Sequence, residues 1–332
     1  MTTTHRSPSP PVWCIALWCL GVLAIGAVAS AAPPEADSKE NDRDQIEFIR
    51  LVRDKGDVPM SMDVAIVRCV PRGDRRGKPT VDLIGAVHVA EKSYYEQLNR
   101  EFRSYDAVLY ELVAPEGTKV PKGGGSSKHP VSMLQNVMKS MLKLEFQLDA
   151  IDYNEENMVH ADMTPEQFNK SMQRRGESMF TMFLRMMSYA MAQQQGNKVS
   201  DTQLLLALFQ KDRALALKRV LAEQFEDMEG SMAALDGPNG STIISDRNGV
   251  ALDVLREQLD QGKRKIAIFY GAGHMEDFLG RLDKDFDLEP TRTRWLVAWD
   301  LSSPEPTPPK DSDDKPASVE EKSVEEEAVE AR

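Results

Sequence analysis

The runs Val81-Asp-Leu-Ile-Gly-Ala-Val-His88 and Lys265-Ile-Ala-Ile-Phe-Tyr-Gly-Ala-Gly-His274 share one signature, a short apolar stretch followed by Gly-x-x-His. Val81 to Ala86 and Lys265 to Tyr270 are rich in Val, Ile, Leu and aromatics, as suits strands covered on both faces of a sheet. Ligands of open α/β sheets collect beyond the carboxyl ends of such strands. His88 and His274 both fall there, each on the way into an expected helix. Gly85, Gly271 and Gly273 suit turns that need a positive φ or a close backbone approach.

The chain after His88 supplies a third member. Ser93-Tyr94-Tyr95-Glu96 has the form of a capping box, and Tyr95, Leu98, Phe102 and Tyr105 mark one apolar face of the helix it opens. Ala107 to Val113 reads as the next strand. Strand, helix and strand within about 30 residues form a crossover unit, so this strand is expected parallel to the first and near it. Glu111 then lies at the same sheet edge as His88. An ionised carboxylate in an apolar strand is costly unless it is paired, hydrogen-bonded or bound to metal. His88, Glu111 and His274 make a metal set that leaves positions open for water or substrate, and it suits Zn, Mn, Co or Fe(II).

Leu83-Ile-Gly-Ala-Val-His-Val89, Val108-Leu-Tyr-Glu-Leu112, Asp246-Arg-Asn248 and Phe269-Tyr-Gly-Ala-Gly-His-Met275 resemble, in order, the motifs of the TraB/Tiki/GumN family. The resemblance covers roughly residues 60 to 113 and 240 to 300. Four motifs in sequence are far more specific than any one of them. Tiki members are described as metal-dependent proteases, and the wider group includes erythromycin-esterase-like and haem-binding ChaN-like proteins. The resemblance thus implies the fold more firmly than the reaction. It attaches to Gly85, His88, Glu111, Arg247, Asn248, Gly271 and His274. No carboxyl-terminal membrane anchor of the kind animal Tiki proteins carry is expected.

Other residues surround this set. Arg247 stands near the start of a helix expected over Asp246 to Gln261 and stopped by Gly262. A cation there opposes the helix dipole and calls for an anionic or carbonyl partner. It either holds Glu111 or stabilises an oxyanion. Asn248 beside it is a supporting group. Tyr270 is a candidate donor to a tetrahedral intermediate, with core packing as the alternative. His160-Ala-Asp162, following Glu155-Glu156, offers Asp162 as a further ligand or base, with ordinary loop chemistry as the alternative. Glu156 is a second candidate base, and Glu111 itself is the first if it is not a ligand.

The expected architecture is α/β: a central mixed, largely parallel sheet with flanking helices and a Met-rich helical cap inserted over about 128–230. Thr164-Pro-Glu-Gln167 and Ser200-Asp-Thr-Gln203 read as capping boxes in that insertion. Thirteen of the 17 methionines fall between Met133 and Met232, a composition that suits loose helical packing or a grip on apolar partners. Pro71 to Pro79 reads as a hairpin loop, Met62 to Val70 as a strand before it, and Arg292 to Leu301 as the last strand.

The ends stand apart from the 57–302 domain. Residues 1–32 read as a signal peptide ending at Ala29-Ser30-Ala31, with an uncleaved membrane anchor as the alternative. Residues 33–56 form a charged lead-in. Residues 303–332 read as a disordered acidic tail, with ten acidic against four basic residues and therefore half of the net charge of −12. The acidic balance argues against a nucleic-acid surface. Cys14 and Cys19 lie in the leader, so only Cys69 remains in the mature chain, buried in a strand and without a disulfide partner.

Together these features give an exported (periplasmic or extracellular) metallohydrolase acting on a peptide or small ester. The alternatives are a haem- or metal-binding protein and a non-catalytic envelope interaction protein.

Overall fold

A computed structural model of the protein describes residues 46–73, 76–120, 141–178, 181, 206–236 and 240–303. The leader, the Gly-Ser linker, His129, the Ser200 capping box and the tail beyond Ser303 lie outside them, as do residues 128–140, 179–180 and 182–205 of the Met-rich stretch and Asp74. Among the described residues no helix is long and apolar enough to cross a membrane.

The strands are β1 (Ile49–Arg53), β2 (Pro59–Pro71), β3 (Thr80–Ala86), β4 (Val89–Ala90), β5 (Ala107–Tyr110), β6 (Glu145–Phe146), β7 (Met158–His160), β8 (Lys265–Gly271) and β9 (Leu288–Asp300). The longer helices are α1 (Lys92–Phe102), α3 (Pro165–Arg175), α4 (Arg213–Asp236), α5 (Arg247–Asp260) and α6 (Met275–Phe286), with the single turn α2 at Gln147–Ala150. Seven strands form one mixed sheet in the order β1-β2-β3-β8-β5-β7, with β9 also paired to β2. From β3 to β7 the pairing is parallel; around β2 it is antiparallel. A strand has two hydrogen-bonding edges, so β1 and β3 share one edge of β2 while β9 runs along the other. The expected α/β architecture is therefore present.

β3 and β8, the two apolar runs that lead into the Gly-x-x-His turns, are buried throughout except at their ends. Asp82 interrupts the apolar pattern of β3. Its carboxylate accepts two bonds of 2.8 Å from Arg68, its partner across β2, and one of 2.7 Å from the Tyr105 hydroxyl. A buried carboxylate is tolerable when satisfied in this way. Tyr94, Tyr95, Leu98 and Phe102 bury the expected face of α1, and Trp299, Phe269, Phe278 and Leu83 fill the rest of the core. Cys69 is fully buried, and burial pushes its thiol up to about 12. It is a packing residue.

Several expectations change. β5 is parallel to β3 and near it as expected, but β8 lies between the two. The lead-in contributes β1. α1 starts at Lys92, so Ser93 sits inside the first turn and makes no cap; Glu91 is the N-cap residue, and its carboxylate accepts 2.7 Å from Lys218 instead. The inserted region is not purely helical, because β6 pairs with β4 and β7 extends the main sheet. The Thr164 capping box forms as read, with Thr164 and Gln167 bonded reciprocally and Pro165 in the first turn.

Neither Gly85 nor Gly271 has a positive φ. A Cβ on Gly85 would stand 2.9 Å from the side chain of Val64, which is itself buried in β2. The glycine is there for close packing. Gly85→Ala is expected to destabilise the protein by about 1–3 kcal/mol, the usual cost of overpacking a filled core. Thermal unfolding measures it; an unchanged midpoint would mean that β2 shifts freely at Val64.

Candidate functional site

The carboxyl ends of β3, β8, β5 and β7 lie side by side. In the parallel register Gly85 faces Tyr270 and Ala86 faces Gly271, so the two Gly-x-x-His turns leave adjacent strands within one residue of each other. The chain then takes two routes. After Gly271 a short 3-10 turn, Ala272–His274, leads straight into α6 and buries the imidazole, which is 3 % exposed. After Ala86 the chain bends at His88 before forming β4, and His88 is left exposed. The helix α5, preceding β8, has its first residues, Arg247 and Asn248, at this same end.

Glu111 follows the last residue of β5, and its backbone N–H still donates to Phe269 of β8, at 3.3 Å. Its Oε2 accepts 2.7 Å from the Gly271 N–H, and its Oε1 accepts 2.6 Å from Arg247 Nη2. Arg247 also grips Asp162 in a two-point bond, Nε to Oδ1 at 2.9 Å and Nη2 to Oδ2 at 2.6 Å. One guanidinium at a helix start thus faces two carboxylates, which meets the requirement set by its place on the dipole. Burial alone would push the Glu111 carboxyl up. Arg247 above all, with His274, His88 and the Gly271 N–H, reverses this and holds it well below the usual carboxylate range.

His274 packs edge-on against Tyr270, with ring centroids 5.3 Å apart. Asn248 Nδ2 donates to the His274 carbonyl at 3.0 Å and to the Asp277 carboxylate at 2.8 Å. Both partners only accept, so the amide orientation is fixed and its Oδ1 turns to His274 Nδ1, 2.7 Å away. Nδ1 therefore carries the hydrogen. Burial, with Arg247 adding to it and Glu111 opposing, pushes the imidazole down to about 4, so it is neutral at pH 7. Its Nε2 carries a lone pair and lies 3.6 Å from Glu111 Oε1.

Two atoms stay open. Among the described residues every buried side-chain nitrogen or oxygen has a hydrogen-bond partner. His274 Nε2 and Arg247 Nη1 have no hydrogen bond there, so neither atom is completely sealed off.

His88 is near enough for its charge to act on both Glu111 and His274. Its Nδ1 lies 3.2 Å from Gln147 Oε1. Gln147 was missed in the sequence, since no pattern marks a glutamine in a short β6-α2 connection. Tyr270 is fully buried and its hydroxyl donates to the Ala161 carbonyl, so it anchors the Asp162 loop and has no proton to offer a substrate. Both oxygens of Asp162 are occupied, Oδ1 also by the Met163 N–H at 2.7 Å, which leaves it a partner of Arg247 rather than a free base. Glu155 pairs with Arg103 just past α1, and Asn157 bonds the carbonyls of Phe102 and Tyr105. Glu155 and Glu156 thus belong to the amino end of β7, away from the site.

A separation of 3.6 Å between His274 Nε2 and Glu111 Oε1 suits two donors on one ion with bonds of about 2.0–2.2 Å. Neutral imidazole with carboxylate is a donor set for Zn, Mn, Co or Fe(II). Bonds from Gly271 and Arg247 to the same carboxylate are the kind of outer support that ligands receive. The pair fits a metal ion. His88 stands outside it: among the described residues no three His, Cys, Asp or Glu side chains gather closely enough to hold one.

The fold and this cluster define an α/β protein with a buried carboxylate–arginine–imidazole centre at the carboxyl ends of its parallel strands. Comparison with family models, with curated proteins and with solved structures gave no significant match.

Proposed function

We propose that this chain is an exported, metal-dependent hydrolase of the TraB/Tiki/GumN type that cleaves an amide or ester bond in a peptide or small ester. The observation that carries the reading is the pair of open atoms, His274 Nε2 facing Glu111 Oε1 and Arg247 Nη1 beside them. His274 and Glu111 would hold the ion, and His88, which stands outside that pair here, would have to close on it to serve as third donor. When bound, the ion supplies a Lewis acid for the carbonyl and a water of lowered pKa.

The chain's own groups have separable tasks. Asn248 sets the His274 tautomer. Gly271 and Arg247 keep Glu111 ionised and still. Asp162 fixes Arg247 through Nε and Nη2, so that Nη1 points a preorganised donor at charge developing on the substrate oxygen. Tyr270 holds the loop that carries Asp162.

Tyr270→Phe separates this from a direct role for the hydroxyl. Removing it leaves the Ala161 carbonyl without its donor and is expected to cost about 1–3 kcal/mol of stability. Activity of the metal-loaded protein on peptide and ester panels should fall less than about 10-fold. A loss of about 100-fold or more, as when an oxyanion donor is removed, would return Tyr270 to the reacting atoms. Absence of any hydrolysis by the metal-loaded protein would contradict the reading itself.

A further inference from the structure

We propose that Gln147 is the positioning residue of His88: its side-chain amide oxygen holds the imidazole as the Nδ1–H tautomer and leaves the lone pair on Nε2, as Asn248 does for His274. The consequence for metal binding rests on the functional reading above. The tautomer does not.

The fold docks Gln147 onto His88 twice. β6 pairs with β4 immediately after the histidine, Val89 with Phe146 and Ala90 with Glu145. The next residue, Gln147, donates its backbone N–H to the His88 carbonyl at 2.9 Å and sets its Oε1 3.2 Å from the ring Nδ1. The backbone around the histidine is pinned as well. Tyr94 donates to the Gly85 carbonyl at 3.1 Å, Tyr95 to Val87 at 2.9 Å and the Trp299 indole to Val89 at 2.7 Å. With the main chain fixed at four carbonyls, the contact at Nδ1 is the one through which Gln147 acts on the ring.

Gln147 is itself buried, and its Nε2 donates 2.9 Å to the hydroxyl of Tyr153, also buried. An amide offers donors only from nitrogen and acceptors only from oxygen. The structure turns the amide nitrogen to the Tyr153 hydroxyl and the oxygen to the imidazole, and it is this orientation that calls for a hydrogen on Nδ1. Both histidines then present Nε2, each through a neutral side-chain amide supplied by a different element: α5 for His274, the β6-α2 corner for His88. A pair of like tautomers at the ends of adjacent strands is what two-imidazole ligation needs, and outer partners of this kind typically tune metal affinity about 10–100-fold.

The test is the imidazole nitrogen spectrum of the 15N-labelled full chain, recorded where the rings are neutral, beside Gln147→Met and Gln147→Glu. The first variant removes the acceptor at similar length; the second restores it. His88 should be Nδ1–H in the wild type and in Gln147→Glu, and shift toward the Nε2–H form that histidine favours in water in Gln147→Met. Cobalt(II) affinity should fall about 10–100-fold in Gln147→Met and recover in Gln147→Glu. An Nε2–H ring in the wild type overturns the proposal. So does an unchanged Nδ1–H ring in a folded Gln147→Met. If the wild type binds no cobalt, the metal reading fails while the tautomer comparison still decides the role of Gln147.

Discussion

Arg247→Met lowers the unfolding free energy by about 3–5 kcal/mol, the usual cost of removing one partner from a buried ion pair. At about 2–4 °C per kcal/mol for a domain of this size, the midpoint drops by roughly 6–20 °C. Arg247 is 7 % exposed and is the cation on both Glu111 and Asp162, of which Asp162 is 5 % exposed. Its loss leaves two carboxylates facing each other's site with only backbone N–H donors, from Gly271 and Met163. Desolvated charge without a partner is far more costly than the missing contact itself. Asp162→Asn is the informative comparison, because an amide oxygen still accepts from the guanidinium while Glu111 keeps its partner. It should cost clearly less. Equal losses for the two variants, followed by urea unfolding, would mean that the guanidinium acts as packing and not as the shared counter-ion.

His274→Asn abolishes hydrolysis and lowers metal affinity by more than about 100-fold, since even supporting residues around a ligand are worth about 10–100-fold. The substitution is chosen to leave the fold alone. An asparagine amide nitrogen can replace Nδ1 as donor to Asn248 Oδ1, so the bond of 2.7 Å is kept while Nε2 disappears. Any loss then belongs to the lone pair that faces Glu111 and not to a hole in the α5–α6 contact. A His274→Asn protein that keeps both metal and activity would show the buried imidazole to be a packing residue.

Much of this arrangement was legible before any coordinates. The runs ending at Ala86 and Tyr270 are apolar on both faces, and a parallel sheet demands that composition, so the fold class followed from them. Glu111 and Arg247 each stood out as a charge in a place that required a partner, and they partner each other through a 2.6 Å bond. Strand order was less accessible. Nothing in the crossover from β3 to β5 reserves the gap into which β8 fits, because that depends on pairing across more than 150 residues of chain. The two Gly-x-x-His turns looked equivalent, yet only His274 is buried, because β4 pairs with β6 where the second turn winds into α6. Tyr270 next to a glycine resembled a donor; the fold gives its hydroxyl to Ala161 instead. Gln147 was silent because a neutral amide shows no charge, period or spacing from which its partner can be read.

His274 and Glu111 form the pair proposed to hold one metal ion, with His88 joining them on binding. The most direct measurement is the transition-metal content of the full chain, purified without a His tag and reconstituted with Zn, Mn, Co or Fe(II), by mass spectrometry beside His88→Ala and His274→Asn. Close to one ion per wild-type chain is expected, lost in both variants; a wild-type protein that holds no metal after reconstitution, or variants that keep it, would rule the shared metal site out.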